Sequence, residues 1–347
     1  MTTKDVPLHT TNFPNTRYMG SKSKLLSIIA HIVKELDPKT ALDAFAGSGC
    51  VGYLFKDLGI QVDSNDFLRF SYHIANASVA NSTEILSSAD IEMLLEINLD
   101  AKSFVQDTFS GLYYDDVDNK FLDNLWPNIQ KLGSEYKKSL AYAAISRACI
   151  KRRPRGMFAY TGFRYDDGRN DLRMTLEEHF IRAVGEWNGA VFDNDKNCAA
   201  FNTDVFALEN KDYDLVYIDP PYVSLRSDND YTRRYHFIEG YMSYWQGVEI
   251  QENTLTKKIK SRVTLFGSRN TIYKAFTDLV EKYPKSTLLI SYSSNSIPTK
   301  EEMEELLKKY RSDVKIIEVD YRYSFGTHGH KVGDNKNSVS EYLFIAK

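Results

Sequence analysis

Tyr213-Asp214-Leu215-Val216-Tyr217-Ile218-Asp219-Pro220-Pro221-Tyr222 is the stretch that decides how this 347-residue chain is read. The run up to Ile218 is apolar and β-prone, the pattern of a strand buried in a parallel sheet. Pro220 and Pro221 then stop the ladder, because neither has an N–H to donate. A carboxylate, a rigid turn and an aromatic ring are left at the carboxyl end of a strand, the edge where open α/β sheets bind ligands. Asp219 and a neighbouring backbone carbonyl are both acceptors, so together they suit a group with two N–H donors, such as an exocyclic amine. Tyr222 beside them suits a flat ring. The competing reading is an ordinary strand-to-loop turn, and the rest of the chain has to choose between the two.

Upstream, Thr40-Ala41-Leu42-Asp43-Ala44-Phe45 reads as a short strand, followed by Ala46-Gly47-Ser48-Gly49 and a helix from about Cys50 to Leu58. Strand, glycine turn and helix make the first unit of a Rossmann-like nucleotide fold. Gly47 and Gly49 let the backbone approach a ligand closely. The pattern is Asp-x-Phe-x-Gly-Ser-Gly and not the dinucleotide Gly-x-Gly-x-x-Gly, which argues against an oxidoreductase. An acid at the strand end repels a pyrophosphate and attracts a cation, so Asp43 fits S-adenosylmethionine, with its ammonium and sulfonium, better than NAD. Ile60-Gln61-Val62 opens a second strand that ends at Asn65-Asp66. Asp66 lies about 20 residues beyond the glycine turn, the separation at which an acid accepts the ribose hydroxyls. A helix N-cap at Asp66 is compatible with that role. Ahead of all this, residues 1–16 read as a loosely docked arm. Arg17-Tyr18-Met19-Gly20-Ser21-Lys22 leads into a helix with Leu25, Ile28, Ile29, Ile32 and Leu36 at helical spacing, which Ser21 or Ser23 can cap.

From about residue 68 to 195 the βα alternation lapses and the pattern is mostly helical. Within it, Lys151, Arg152, Arg153, Arg155, Arg164, Arg169 and Arg173 interleave with Phe158, Tyr160, Phe163 and Tyr165, broken by Pro154, Gly156 and Gly162. Basic and aromatic residues on a loop suit phosphate and base-edge contacts. A solvated charge run, balanced by Asp166, Asp167 and Asp171, is the alternative. The sheet resumes at Asn197–Phe201 and ends in Asn202-Thr203-Asp204, where Asp204 either accepts from an adenine amino group or caps a turn. After Tyr222, a polar stretch at 227–230 precedes Tyr231, Arg233, Arg234, Tyr235 and Phe237. These rings can close over a bound base or pack among themselves. Residues 270–283 read as a helix, 287–292 as a strand, and Thr299 with Glu302 as a capping box. Residues 314–321 and 341–346 read as two further strands. His328 and His330 lie in the loop between them, without a third metal ligand, and we expect no metal there.

Composition is that of a globular chain, 42% hydrophobic and 26% charged, with a net charge of −3, so nucleic-acid binding has to come from local basic patches. Cys50, Cys149 and Cys198 are too far apart in sequence for a metal-spacing pair and suggest a reducing compartment. Met1 to Asn15 lacks an apolar signal core, and no apolar run is long enough to span a bilayer.

With these residues together, the chain resembles the Dam-like DNA adenine-N6 methyltransferases of the α group. Arg17-Tyr18-Met19-Gly20-Ser21-Lys22 looks like the family's first motif, which packs at the methionine end of the cofactor. Asp43-Ala44-Phe45-Ala46-Gly47-Ser48-Gly49 looks like its glycine loop, Asn65-Asp66 like its ribose acid, and Asp219-Pro220-Pro221-Tyr222 like its catalytic motif. The resemblance implies an α/β, Rossmann-like S-adenosyl-L-methionine-dependent fold. It implies a catalytic domain from residues 1–85 and 195–347 and a mostly helical target-recognition insertion at 86–194. The implied site comprises Asp219, Pro220, Pro221 and Tyr222 for chemistry. Tyr18, Lys22, Asp43, Phe45, Gly47, Gly49, Asp66 and Asp204 bind the cofactor, and Arg152, Arg153, Arg155, Arg164, Tyr235 and Phe237 contact DNA. The expected substrate is adenine flipped out of double-stranded DNA, methylated by a monomeric, cytoplasmic, prokaryotic or phage enzyme that pairs with a restriction endonuclease. Cytosine-N4 methylation uses the same geometry, and a non-catalytic DNA-binding module keeping the fold is the rival from another class. Asp at position 219, where Ser would suit cytosine, favours adenine.

Overall fold

The computed structural model describes residues 6–162, 166, 168–223, 230–322 and 338–347. Seven strands form one sheet: β1 (Thr40–Asp43), β2 (Gln61–Asn65), β3 (Ala199–Phe201), β4 (Leu215–Ile218), β5 (Thr287–Ser293), β6 (Val314–Arg322) and β7 (Ser338–Ala346). Their order is β3-β2-β1-β4-β5-β7-β6. The first five run parallel, and β7 runs antiparallel to both β5 and β6. Two helices, α1 (Leu8–Thr11) and α2 (Leu26–Leu36), precede β1, and α3 (Cys50–Asp57) joins β1 to β2. Between β2 and β3 lie α4 (Arg69–Ala75), α5 (Ser88–Leu95), α6 (Phe104–Phe109), α7 (Asp116–Gln130), α8 (Glu135–Arg152) and α9 (Leu176–Asn188). The later crossovers carry α10 (Tyr231–Met242), α11 (Ile272–Lys282) and α12 (Lys300–Lys308). This is the Rossmann-like α/β architecture that the sequence implied. No described helix is long and apolar enough to cross a membrane.

Every residue of β4 is buried, which is why its sequence is apolar without alternation. Parallel register sets what emerges at the sheet edge. Asp43 pairs with Tyr217 of β4 and Ser64 of β2, so Asp43, Asp66 and Asp219 leave the sheet at one carboxyl edge. The antiparallel β7 begins where its parallel neighbours end, and Glu341, opposite Ser293 of β5, arrives at that same edge. The helical stretch is not cored separately. Leu125, Ile145 and Trp187 share one buried apolar cluster with Tyr53 and Val62.

Three local expectations change. The first is the N-terminal arm: Thr10 donates to Asp57 Oδ2 through both its N–H and its hydroxyl, at 2.7 Å each, and Phe13 is buried. Residues 6–16 are therefore docked on α3. In the second, neither Ser21 nor Ser23 caps α2, because turns at residues 22–25 delay its start to Leu26 and the N-cap is Leu25. The third concerns the basic loop. Arg153 is fully buried and donates to the carbonyls of Tyr113 (3.2 Å), Gly162 (2.9 Å) and Tyr160 (2.8 Å). Arg152 is also buried, with Nε 3.0 Å from Asp118 Oδ2 and an Nη 3.2 Å from Asp115 Oδ2. Guanidinium forks that satisfy buried acceptors cannot also read base edges. Arg173 and Arg169 likewise pair with Asp166 and Asp171. Arg164, Phe163, Tyr165, Asp167, His328 and His330, with residues 227–229, lie outside the described residues, as does the side chain of Arg155.

Removing Arg153 strands several buried carbonyls, each costing about 1–3 kcal/mol. We expect Arg153→Met to lower the urea midpoint by the equivalent of about 3 kcal/mol or more. An unchanged midpoint with weakened DNA binding would instead restore Arg153 as a DNA contact.

Candidate active site

The strand ends and the turns between them enclose a cleft of about 350 Å³, in the size range of small-molecule sites. It joins the glycine turn to Asp219: Phe45, Gly47, Asp66, Asp204, Asp219 and Tyr222 all line it. Tyr18, Lys22 and Asp43 line it too, as does Pro221, while Pro220 is buried beneath.

Asp43 is buried at the end of β1. One oxygen accepts from Gly52 N–H at 3.0 Å, an approach that only glycine permits, since a Cβ there would sit 2.5 Å from Ser64 Oγ. The other oxygen is buried with no hydrogen-bond partner among the described residues. Burial, then the nearby Asp219 charge, pushes the Asp43 carboxyl up to about 8. Asp66 accepts from Gly47 N–H at 2.7 Å and Leu68 N–H at 2.8 Å, which ties the glycine turn to the end of β2. Burial raises Asp66 to about 6 against those two donors. Gly47 has φ +52°, and a Cβ there would meet the Tyr18 ring at 3.2 Å, so the turn lies flat beneath that tyrosine. Gly49, with φ +79°, is the N-cap of α3.

Asp204 fulfils its capping role, accepting from Phe206 N–H at 3.0 Å, and still faces the cleft. Beside it stands an aromatic wall of which sequence reasoning found only Phe45. Phe206 stacks on Phe266 at 5.9 Å, and Phe45 meets Phe266 edge-on at 5.1 Å. Phe266 belongs to residues 261–268, which form one lip of the cleft. Arg262 is exposed on that lip, with its guanidinium 5.2 Å from the Phe67 ring centre. Lys257, Lys258, Lys260 and Arg269 flank the lip in sequence, a clustering of basic residues that was visible but unremarked.

At the floor, Asp219 is held on both oxygens. Lys22 Nζ lies 2.8 Å from Oδ2, and the Tyr222 hydroxyl donates to Oδ1 at 2.9 Å. Lys22 also reaches Glu341 at 3.5 Å and the Gly20 carbonyl at 3.1 Å. Burial raises Asp219 to about 6, with Glu341 adding to the rise and Lys22 opposing it. Sequence reasoning set Lys22 at the cofactor's methionine end, whereas here it neutralises the acid of the Asp-Pro-Pro-Tyr motif. Glu341 was missed altogether.

Two rings expected over a bound base are elsewhere. Tyr235 is fully buried: it stacks on Tyr18 at 5.3 Å, and its hydroxyl accepts from Met19 N–H at 2.8 Å. Phe237 is buried against Phe158 at 5.1 Å. Tyr231, one helical turn before Tyr235 on the same face of α10, is the ring that lines the cleft.

The arrangement can hold a cation-bearing nucleoside along the glycine turn and present an acceptor carboxylate to a second, amine-bearing ring. Comparison with known proteins shows the family. Residues 18–325 match the family described as D12 class N6 adenine-specific DNA methyltransferase. The chain is 28% identical to the type II methyltransferase M2.HphI of Haemophilus parahaemolyticus, over 96% of this chain and 98% of that one. It is 21% identical to the type II methyltransferase M.NlaIII of Neisseria lactamica, over 94% and 98%. It is 27% identical to M.FokI of Planomicrobium okeanokoites over 94% of this chain but only 52% of that longer protein. The chain belongs to the D12 class of DNA methyltransferases, enzymes that methylate adenine at N6.

Proposed function

We propose that this enzyme transfers a methyl group from S-adenosyl-L-methionine to adenine flipped out of double-stranded DNA, and that it is the modification member of a restriction-modification system, acting as a monomer beside a partner endonuclease. The observation that carries the chemistry is the single cleft shared by the glycine turn and Asp219. The restriction-modification role is supported by the relatives' names.

The residues fit the donor. Asp43 brings a buried, unpartnered oxygen suited to a cation. Asp66 suits ribose hydroxyls, and Asp204 with Phe45, Phe206 and Phe266 suits an adenine. Tyr18, Gly47 and Gly49 shape the floor beneath. S-adenosyl-L-methionine supplies an electrophilic methyl on sulfur, whose bond breaks with both electrons kept by the sulfur.

The protein's part is positioning. A base inside a duplex is out of reach, and flipping costs about a few kcal/mol. Tyr222 and Tyr231 offset that by stacking, worth roughly 1–3 kcal/mol per base. Asp219 and the Pro220 carbonyl accept from the N6 amine, which draws its lone pair out of ring conjugation. After N6 gains the methyl it carries an extra proton, and Asp219 is the acceptor beside it. Fixed geometry and charge supply the rate. The helical stretch at 86–194 serves as the recognition domain, and Arg155 and Arg164 remain its candidate contacts. Arg262 and its basic neighbours suit phosphates beside the target.

Three outcomes test this reading. Asp219→Ala should abolish transfer of labelled methyl to DNA while leaving donor affinity within about threefold, and Asp66→Ala should weaken donor binding by about tenfold or more. Normal turnover by Asp219→Ala would refute the chemistry. Asp219 can take up the amine's proton only when ionised, so at saturating donor kcat/KM for DNA should fall about tenfold per pH unit below about 6 and level off above it; a flat acid limb to pH 5 contradicts this assignment. Asp43, raised to about 8, is protonated at neutral pH before a cation arrives and ionises when one binds. Donor binding at pH 7 should therefore release a proton, and affinity should rise with pH toward 8. Calorimetry in buffers of different ionisation enthalpy measures that release, and Asp43→Asn should remove it.

A further inference from the structure

Glu341 is fully buried at the start of β7 and touches three groups through one oxygen. Ser291 Oγ donates to Oε1 at 2.8 Å, the Tyr222 hydroxyl lies within hydrogen-bond reach of the same atom and shares its one proton between it and Asp219 Oδ1, and Lys22 Nζ lies 3.5 Å away. Lys22 and Tyr222 are the two groups that occupy Asp219. Each Asp219 oxygen keeps a further lone pair, so an incoming amine shares an oxygen with one of them and weakens its hold there. A buried ammonium that loses its carboxylate stays only if a second one receives it. A buried hydroxyl likewise needs another acceptor.

We propose that Glu341 is a positioning residue for methyl transfer: it takes over Lys22 or the Tyr222 hydroxyl when the target amine engages Asp219, and so frees the catalytic carboxylate without leaving a buried donor unpaired. The geometry favours exchange over static scaffolding. Lys22 already spans both acids, 2.8 Å from one and 3.5 Å from the other, so a shift of under an ångström completes the handover. The Tyr222 hydroxyl already faces both. Ser291, on the neighbouring strand, fixes Oε1 beside Lys22 and the Tyr222 hydroxyl. Around Asp219 the other titratable groups are Asp43, Tyr217 and Tyr231; Asp43 and Tyr231 line the cleft, and Tyr217 pairs with Asp43 across β1 and β4. The inference rests on the adenine-N6 chemistry above.

The test uses the full chain, unmethylated genomic DNA and labelled S-adenosyl-L-methionine, with enzyme in excess so that a single turnover is seen. Glu341→Gln keeps the shape and removes the charge that Lys22 needs. Its single-turnover rate should fall about tenfold or more, with donor affinity within about twofold and a thermal midpoint within a few degrees of the wild type. Glu341→Asp, which keeps the charge on a shorter arm, should recover part of the rate. The acid limb of the rate should move to lower pH in Glu341→Gln, because a negative neighbour of Asp219 is gone. A wild-type rate in Glu341→Gln, or a loss that simply follows donor affinity and thermal midpoint, overturns the proposal. A wild-type chain that leaves adenine unmethylated overturns the underlying reading, whatever the variants do.

Discussion

Four buried or nearly buried carboxylates, Asp43, Asp66, Asp219 and Glu341, end at one edge of one sheet, and the site depends on how that negative charge is compensated. Burying like charges together is costly unless each finds a donor or a cation. Asp66 is met by two backbone N–H groups, and Asp219 and Glu341 share Lys22. Asp43 is met by one N–H and otherwise pushed toward its neutral form. The pocket is therefore built with a deficit of positive charge. That deficit suits a cationic group, whereas a dinucleotide pyrophosphate would deepen it, and it accounts for the position of Lys22.

The same edge shows why one fold brings so much chemistry together. Parallel strands end together, so residues far apart in the chain meet without any loop having to be long. The reversed strand β7 adds a residue from its beginning, and α10 brings Tyr231 from the far side of the cleft. The aromatic stack of Tyr18, Tyr231 and Tyr235 then ties the segment at residues 18–22 to α10, so that Lys22 is held where it can reach two acids.

How much of this was legible depended on the kind of signal. Asp219, Asp43 and Asp66 could be read because a buried strand followed by a turn is a local pattern, and its end points at a ligand. The capping box at Thr299 and the helix α3 were local in the same way. Glu341 belongs to no local motif. Its signal is topological: a carboxylate opening an apolar strand marks the catalytic edge only once that strand is known to run antiparallel. The arginines at 152 and 153 misled for the opposite reason. Interleaved basic and aromatic residues look alike whether the guanidinium reads a base or satisfies buried carbonyls, and only the fold around Tyr113 and Asp118 tells them apart. Tyr235 and Phe237 failed on depth. The segment read as a loop, and it is the helix α10 that sets Tyr231 at the cleft and Tyr235 beneath it. The lip at residues 261–268 carries no sequence motif, because its role comes from where it lies along the cleft.

The central claim is that Asp219 receives the N6 amine of an extruded adenine while facing the methyl donor. The most direct measurement is a crystal structure of the chain with a cognate duplex and a non-reactive analogue of S-adenosyl-L-methionine. The account predicts an adenine outside the stack with N6 about 3 Å from an Asp219 oxygen, Lys22 or the Tyr222 hydroxyl moved toward Glu341, and the analogue's sulfonium-equivalent centre facing N6. An adenine bound with N6 turned away from Asp219, or an analogue seated outside the cleft between the glycine turn and β4, would contradict it.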